Sequence, residues 1–167
     1  MGLLMDRPGF TVALLHPRYW LLWLGLGLLW LVVQLPYRWL LGLGRALGWG
    51  MFQLMSDRRE VARTNLALCF PEMSEMARER LLRENFASNG IALFEMAMAW
   101  WWPRQRLARL AHIEGLEHLN DAAAQGKGVV LMSLHFTTLE IGAALLGQAV
   151  TIDGMYREHR NAAFDFV

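Results

Sequence analysis

The stretch Gly128-Val-Val-Leu-Met-Ser-Leu-His135-Phe-Thr-Thr-Leu-Glu140 decides the predicted fold of this chain. Its almost continuously apolar part, residues 129–134, predicts a fully buried strand, because no alternation with polar residues gives it a solvent face. A helix is predicted from Thr137 to Leu146, and a second strand from Val150 to Tyr156. Strand, helix and strand at this spacing predict the start of an α/β layer with a parallel sheet.

His135 and Glu140 are the candidate catalytic residues. Ligands of open α/β sheets bind where strands end, which is where His135 falls. On one continuous helix a five-residue step of about 500° would keep the two side chains apart. If the helix begins after His135, the loop can fold the imidazole toward the carboxylate, an arrangement typical of general acid–base chemistry. Structural roles are the alternatives: a capping box in Thr137-Thr-Leu-Glu140, and a structural histidine at His135.

The run from Tyr19 to Leu35 predicts a transmembrane helix. It contains no charged residue, and Gln34 is its one strongly polar residue. At 1.5 Å per residue it reaches about 25 Å, the short end of what crosses a hydrocarbon core. Tryptophans lie near both ends, as in the aromatic belts of membrane interfaces. A cleaved signal peptide and a buried core helix are the alternatives. More arginines follow the run than precede it, which favours a cytoplasmic body.

Composition narrows the class of protein. Hydrophobic residues make up 55% of the 167 residues and charged residues 19%, typical of membrane association. The net charge of +1 does not indicate nucleic-acid binding. Cys69 is the single cysteine, which excludes an internal disulfide. No metal site is expected, because no further ligand residue stands at a suitable spacing near His135.

The middle of the chain is predicted to be helical. Four glycines at small-residue spacings, Gly42, Gly44, Gly48 and Gly50, predict close helix approach in or near a bilayer; the alternative is that they simply weaken the helix. A long helix is expected from the N-cap Ser74 to about Trp102, ended by Pro103. Its last part, residues 96–102, is apolar all round and favours packed core over an acyl-chain groove.

We divide the chain into a tail (1–18), a transmembrane helix (19–35), a helical membrane-proximal region (36–125) and the first part of a catalytic domain (126–167). With only two strands, the sequence looks cut short.

Several stretches closely resemble the bacterial lipid A late acyltransferases, with the lauroyl and palmitoleoyl transfer branch nearest. They are His16-Pro-Arg-Tyr-Trp20, Asn65-Leu-Ala-Leu-Cys-Phe-Pro-Glu-Met-Ser74, Glu84-Asn-Phe86, Met98-Ala-Trp-Trp-Trp-Pro103 and Ile113-Glu-Gly-Leu-Glu-His118. The resemblance covers the N-terminal half of the family. Its His-x4-Glu motif, the catalytic pair, matches His135 and Glu140. A later segment around Arg157 also resembles the family, although Glu158 and Ala162 stand where the family has proline.

The resemblance implies an O-acyltransferase of lipopolysaccharide biosynthesis. Such an enzyme moves a fatty acyl chain from acyl-carrier protein to a hydroxyl of a lipid A precursor, without cofactor or metal, at the bacterial inner membrane. The implied partners are therefore acyl-carrier protein, the lipid A precursor and membrane lipid, and Arg157 is implied to bind acceptor phosphate. The alternatives are a glycerolipid acyltransferase, which usually carries Asp where this chain has Glu140, and an inactive membrane-anchored fragment.

Overall fold

The computed structural model describes residues 11–154. Two short 3-10 helices, Val12–Leu15 and Pro17–Tyr19, precede the α-helices of this part of the chain. The α-helices are α1 (Trp20–Val33), α2 (Tyr37–Leu54), α3 (Ser56–Cys69), α4 (Glu75–Trp101), α5 (Arg104–Leu107), α6 (Leu116–Ala124) and α7 (Leu139–Ala149).

The long helix α4 organises the molecule. It begins as predicted at Ser74, whose side chain accepts a hydrogen bond of 3.3 Å from the backbone N–H of Ala77. It continues for 27 residues, or about 40 Å, and ends just before Pro103, where a helix cannot readily continue. Helices α1, α2, α3 and α7 all pack against it. The position of α7, which carries the candidate site, is therefore set by α4.

The tightest packing lies between α2 and α4, where glycines from both helices meet. A Cβ atom added to Gly44 would lie 2.6 Å from the Cα of Ile91, and one added to Gly90 would lie 2.5 Å from the backbone N of Gly48. These distances are too short for any larger side chain. The predicted close approach is thus confirmed for Gly44 and Gly48, whereas Gly42 and Gly50 have nothing within 4 Å of the added atom.

A hydrophobic core joins α1, α2, α4, α5 and α7. Its buried members are Val33, Leu40, Phe94, Ala97, Met98, Trp102, Leu107 and Ile141. The indole N–H of Trp102 donates to the carbonyl of Val33 at 2.7 Å, and the guanidinium of Arg106 stacks over the Trp102 ring at 3.5 Å. Because Ala97, Met98 and Trp102 are buried in this cluster, the packed-core interpretation of residues 96–102 is confirmed.

The predicted α/β fold is wrong for the described part of the chain. No strand is present between residues 11 and 154, and residues 129–136 have no regular secondary structure. Val130 is 97% exposed and Met132 95% exposed, whereas a buried strand was expected. The physical reason is that a strand needs a hydrogen-bonded neighbouring strand, and residues 11–154 contain none. The second predicted strand is absent over residues 150–154, and its end at Tyr156 lies outside the described residues.

The predicted transmembrane helix is also contradicted. Helix α1 has 14 residues and spans about 21 Å, because Tyr19 belongs to a 3-10 helix and a turn precedes Pro36. Within residues 11–154, no helix combines the length and apolarity needed to cross a membrane. This finding overturns the expected single-pass inner-membrane placement.

Candidate functional site

The candidate site lies in the turn that leads into α7. The backbone N–H of Phe136 donates to the carbonyl of Leu134 at 2.9 Å, and that of Leu139 donates to the carbonyl of Phe136 at 3.1 Å. These bonds turn the chain around His135, whose side chain is exposed. Helix α7 begins at Leu139, which is after His135, so the two candidate residues do not lie on one continuous helix.

Glu140 is exposed in the first turn of α7. A carboxylate there is favoured by the partial positive charge of the helix N-terminus. The N-cap residue is Thr138, and its side chain makes no capping hydrogen bond. The capping box with Thr137 as N-cap, which was the alternative to a catalytic role for Glu140, is therefore wrong. The structure does not support a capping role for Glu140.

The structure does not bring His135 and Glu140 into contact. Among the hydrogen bonds and ion pairs of residues 11–154, none joins the two side chains. Both are exposed on the same short segment, separated by a turn and the start of a helix.

The inner side of α7 fixes the position of the helix. Ile141 is buried in the hydrophobic core, and Ala144 and Leu145 pack against the same core. Their spacing of three and four residues places them on one helical face. Glu140 immediately precedes Ile141, so its Cα is held by the core while its carboxylate faces solvent.

A buried polar contact that the sequence reasoning missed lies between α2 and α4. The hydroxyl of Tyr37 donates to the carboxylate of Glu95 at 2.8 Å, and Glu95 is only 7% exposed. Burial, followed by the hydrogen bond to Glu95, raises the pKa of Tyr37 to about 12. The available signal was a single acidic residue within the apolar run Leu93-Phe-Glu-Met96. This contact lies on elements other than the turn that carries His135.

A separate cleft of about 980 Å³ opens between α3 and the start of α4. Its lining is mainly charged, and it contains an ion pair: Nε and Nη2 of Arg63 each donate to one oxygen of the Glu79 carboxylate at 3.0 Å. The hydrogen bonds from Arg63 hold the pKa of Glu79 below its usual value. Neither candidate catalytic residue lines this cleft.

Arg157, the predicted phosphate-binding residue, lies outside the described residues.

A histidine before a helix and a glutamate in the first turn of that helix are the residue types that general acid–base chemistry uses. Comparison with known proteins identifies the family. The sequence profile of the bacterial lipid A biosynthesis acyltransferases matches residues 7–167. The chain belongs to this family, as its resemblance predicted.

Named relatives agree with the family match. The chain is 48% identical to the lipid A biosynthesis lauroyltransferase of Escherichia coli (strain K12), over 97% of this chain and 53% of the relative. It is 44% identical to the palmitoleoyltransferase of the same organism, over 95% and 52%. A lipid A biosynthesis acyltransferase of Haemophilus influenzae is 40% identical, over 96% and 51%. The chain spans about half the length of these curated relatives. No solved structure matches.

Proposed function

We propose that this chain carries the acid–base residues of an O-acyltransferase of lipid A biosynthesis. In the proposed reaction a fatty acyl chain moves from acyl-carrier protein to a hydroxyl of a lipid A precursor. The family match over residues 7–167 carries the proposal. The relatives named as lauroyl and palmitoleoyl transferases of lipid A biosynthesis support this acceptor class.

His135 acts as the general base in this proposal. Its imidazole takes the proton of the acceptor hydroxyl as the hydroxyl oxygen attacks the thioester carbonyl. The tetrahedral intermediate then collapses, the carbon–sulfur bond breaks, and the proton on the imidazole passes to the departing thiolate. The products are an ester and the free thiol of the carrier. Because the thioester is already activated, the reaction needs no redox step and no cofactor.

Glu140 orients and stabilises the imidazolium that forms on His135. The exposure of both side chains supports this role assignment, because two large substrates, a carrier protein and a lipid, must reach the same base. A rotation of the turn at His135 brings the groups together. Arg157 is proposed to bind a phosphate of the acceptor through its planar fork.

The test is a transfer assay with acyl-carrier protein bearing a radiolabelled acyl chain. The protein assayed is a chimera that joins this chain to the part of the E. coli lauroyltransferase that it does not match. We expect label in a lipid A precursor and none in lysophospholipid. Label only in lysophospholipid would instead identify a glycerolipid acyltransferase.

The variant that tests the base is His135→Ala in the same chimera. We expect activity to fall by about 10²–10⁴-fold, the usual contribution of a general base. His118→Ala is the matched control, because His118 is also exposed and stands on α6, away from the turn. Near-normal turnover in His135→Ala would remove the residue from the mechanism.

A further inference from the structure

The corner between α4 and α5 holds the end of α1. The indole N–H of the buried Trp102 donates to the carbonyl of Val33 at 2.7 Å. From α5, Nη2 of Arg106 donates to the carbonyls of Gln34 and Leu35 at 3.0 Å each. The last carbonyls of an α-helix have no N–H partner within the helix. Trp102 and Arg106 therefore supply donors that the end of α1 lacks.

The contacts of Arg106 depend on the planar shape of its guanidinium. The group lies 3.5 Å from the centre of the Trp102 ring while it bonds the two carbonyls at the end of α1. Among the ion pairs of residues 11–154, none joins a carboxylate to Arg106. Its charge instead lies at the negative end of the α1 dipole. A lysine ammonium does not combine ring stacking with a planar set of donors, so this set of contacts is specific for arginine.

Arg106 is connected to the candidate site through the hydrophobic core. Leu107, the next residue on α5, is 2% exposed and belongs to the same buried cluster as Ile141. Helix α5 packs against α7, and Ile141 directly follows Glu140. Helix α5 has only four residues, and the other two are exposed. The position of α5, and with it the start of α7, therefore depends on Arg106 and Leu107.

We propose that Arg106 is a positioning residue for Glu140, an inference that rests on the proposed acid–base roles of Glu140 and His135. Arg106 fixes α5 against the end of α1, and α5 in turn fixes the first turn of α7. Loss of the guanidinium leaves α5 without its contact to α1, so the Glu140 carboxylate is misplaced relative to His135. A misplacement of about 1 Å lowers a catalytic rate by about 10²-fold.

The first experiment measures kcat and KM of Arg106→Ala in the chimera described above. We expect kcat to fall by about 10²-fold because the carboxylate is misplaced. The KM values for acyl-carrier protein and the lipid A precursor should stay unchanged, since only an interaction made in the transition state is weakened. Arg106→Lys should give a kcat between those of Arg106→Ala and the unsubstituted chimera, because it keeps the charge but not the planar donors.

Two control variants separate positioning from lost charge and from lost stability. Arg104→Ala removes the same charge from the same helix, and Arg104 is exposed, so its kcat should stay unchanged. Gly90→Ala disturbs the contact between α2 and α4 instead of α5. Its kcat per folded molecule should also stay unchanged. Far-UV circular dichroism measures the folded fraction of each variant.

Amide hydrogen exchange of the 167-residue chain tests the same connection without acyl transfer. The N–H of Gly142 donates to the carbonyl of Thr138 at 2.9 Å in the first turn of α7. Arg106→Ala should speed exchange of this N–H by roughly tenfold or more, because two hydrogen bonds from a charged group are lost. Arg104→Ala should leave the rate unchanged. An equal rise at the amides of α3 would indicate general destabilisation and would contradict the positioning role.

The outcomes distinguish this proposal from the proposed function. If His135→Ala inactivates the chimera, an unchanged kcat or an unchanged Gly142 exchange rate in Arg106→Ala overturns the positioning role alone. If His135→Ala stays fully active, the proposed function fails, whereas faster Gly142 exchange still shows that Arg106 holds α7. Should Arg106→Ala lose its helices, Arg106→Lys decides: kcat and exchange equal to those of the unsubstituted protein would overturn the role of the guanidinium.

Discussion

Glu140 stands in the first turn of α7 with an exposed carboxylate and without a capping role. The substitution Glu140→Gln keeps the shape of the side chain but removes the charge that would stabilise a protonated His135. In the chimera we expect acyl transfer to fall by about 10²-fold or more. The free energy of unfolding should change by less than about 0.5 kcal/mol, as is usual at an exposed site. Transfer assays and urea denaturation measure the two effects, and an unchanged rate would contradict the catalytic role.

Tyr37 and Glu95 form the buried polar contact that ties α2 to α4. Tyr37→Phe leaves the nearly buried Glu95 carboxylate without its donor, so we expect the free energy of unfolding to fall by about 1–3 kcal/mol. Tyr19→Phe is the control, because the Tyr19 hydroxyl is bonded only at the surface, by Arg18. Urea denaturation compares the two variants. A loss in Tyr37→Phe no larger than in the control would show that the contact does not stabilise the fold.

The same contact predicts a pH dependence. Burial and the Glu95 carboxylate raise the pKa of Tyr37 from 10.0 to about 12 in the folded protein. A raised pKa means that folding favours the neutral phenol. The stabilisation is therefore complete below pH 10 and is lost as the pH rises through 12. Urea denaturation at a series of alkaline pH values should show this loss in the unsubstituted chain, and Tyr37→Phe should lack this part of the dependence.

At the scale of elements, the glycine contacts between α2 and α4 can be tested by alanine substitutions at a packed glycine and at an open one. Gly90→Ala places a methyl group within 3 Å of backbone atoms of Gly44 and Gly48, so the two helices must move apart to accept it. We expect destabilisation of about 1–3 kcal/mol or more, measured by urea denaturation. Gly42→Ala, on an open side of α2, should instead stabilise by about 0.5–1 kcal/mol through helix propensity. Similar effects at both positions would contradict the glycine-mediated packing.

The elements also explain which predictions succeeded. Helix signals are local: Ser74 and Pro103 bound α4 correctly. Glycine spacing in α2 indicated close packing, but the partner Gly90 lies far along the chain, where no local pattern identifies it. Every strand depends on hydrogen bonds to a neighbouring strand, which can lie far away in the sequence. The apolar run of residues 129–134 was therefore assigned to a sheet that the described residues do not form.

At the scale of the candidate site, the sequence placed His135 before a helix and Glu140 within its first turn, and both placements are confirmed. Their pairing stays a prediction, because spacing does not determine the torsions of the intervening turn. The domain boundaries stay predictions for a similar reason: they were drawn where composition changes, whereas α4 joins helices from both sides of these boundaries into one packed unit.

At the scale of the whole molecule, the segment before the candidate site lacks support. Val130 and Met132 are almost fully exposed, and His135 follows them without a contact to Glu140. Catalytic groups must be held within about 0.5 Å of a productive geometry. We therefore expect the 167-residue chain alone to show no measurable acyl transfer from labelled acyl-carrier protein. The chimera assayed in parallel is the control for substrates and conditions. Transfer by the purified chain alone would mean that substrate binding itself orders the turn and brings His135 against Glu140.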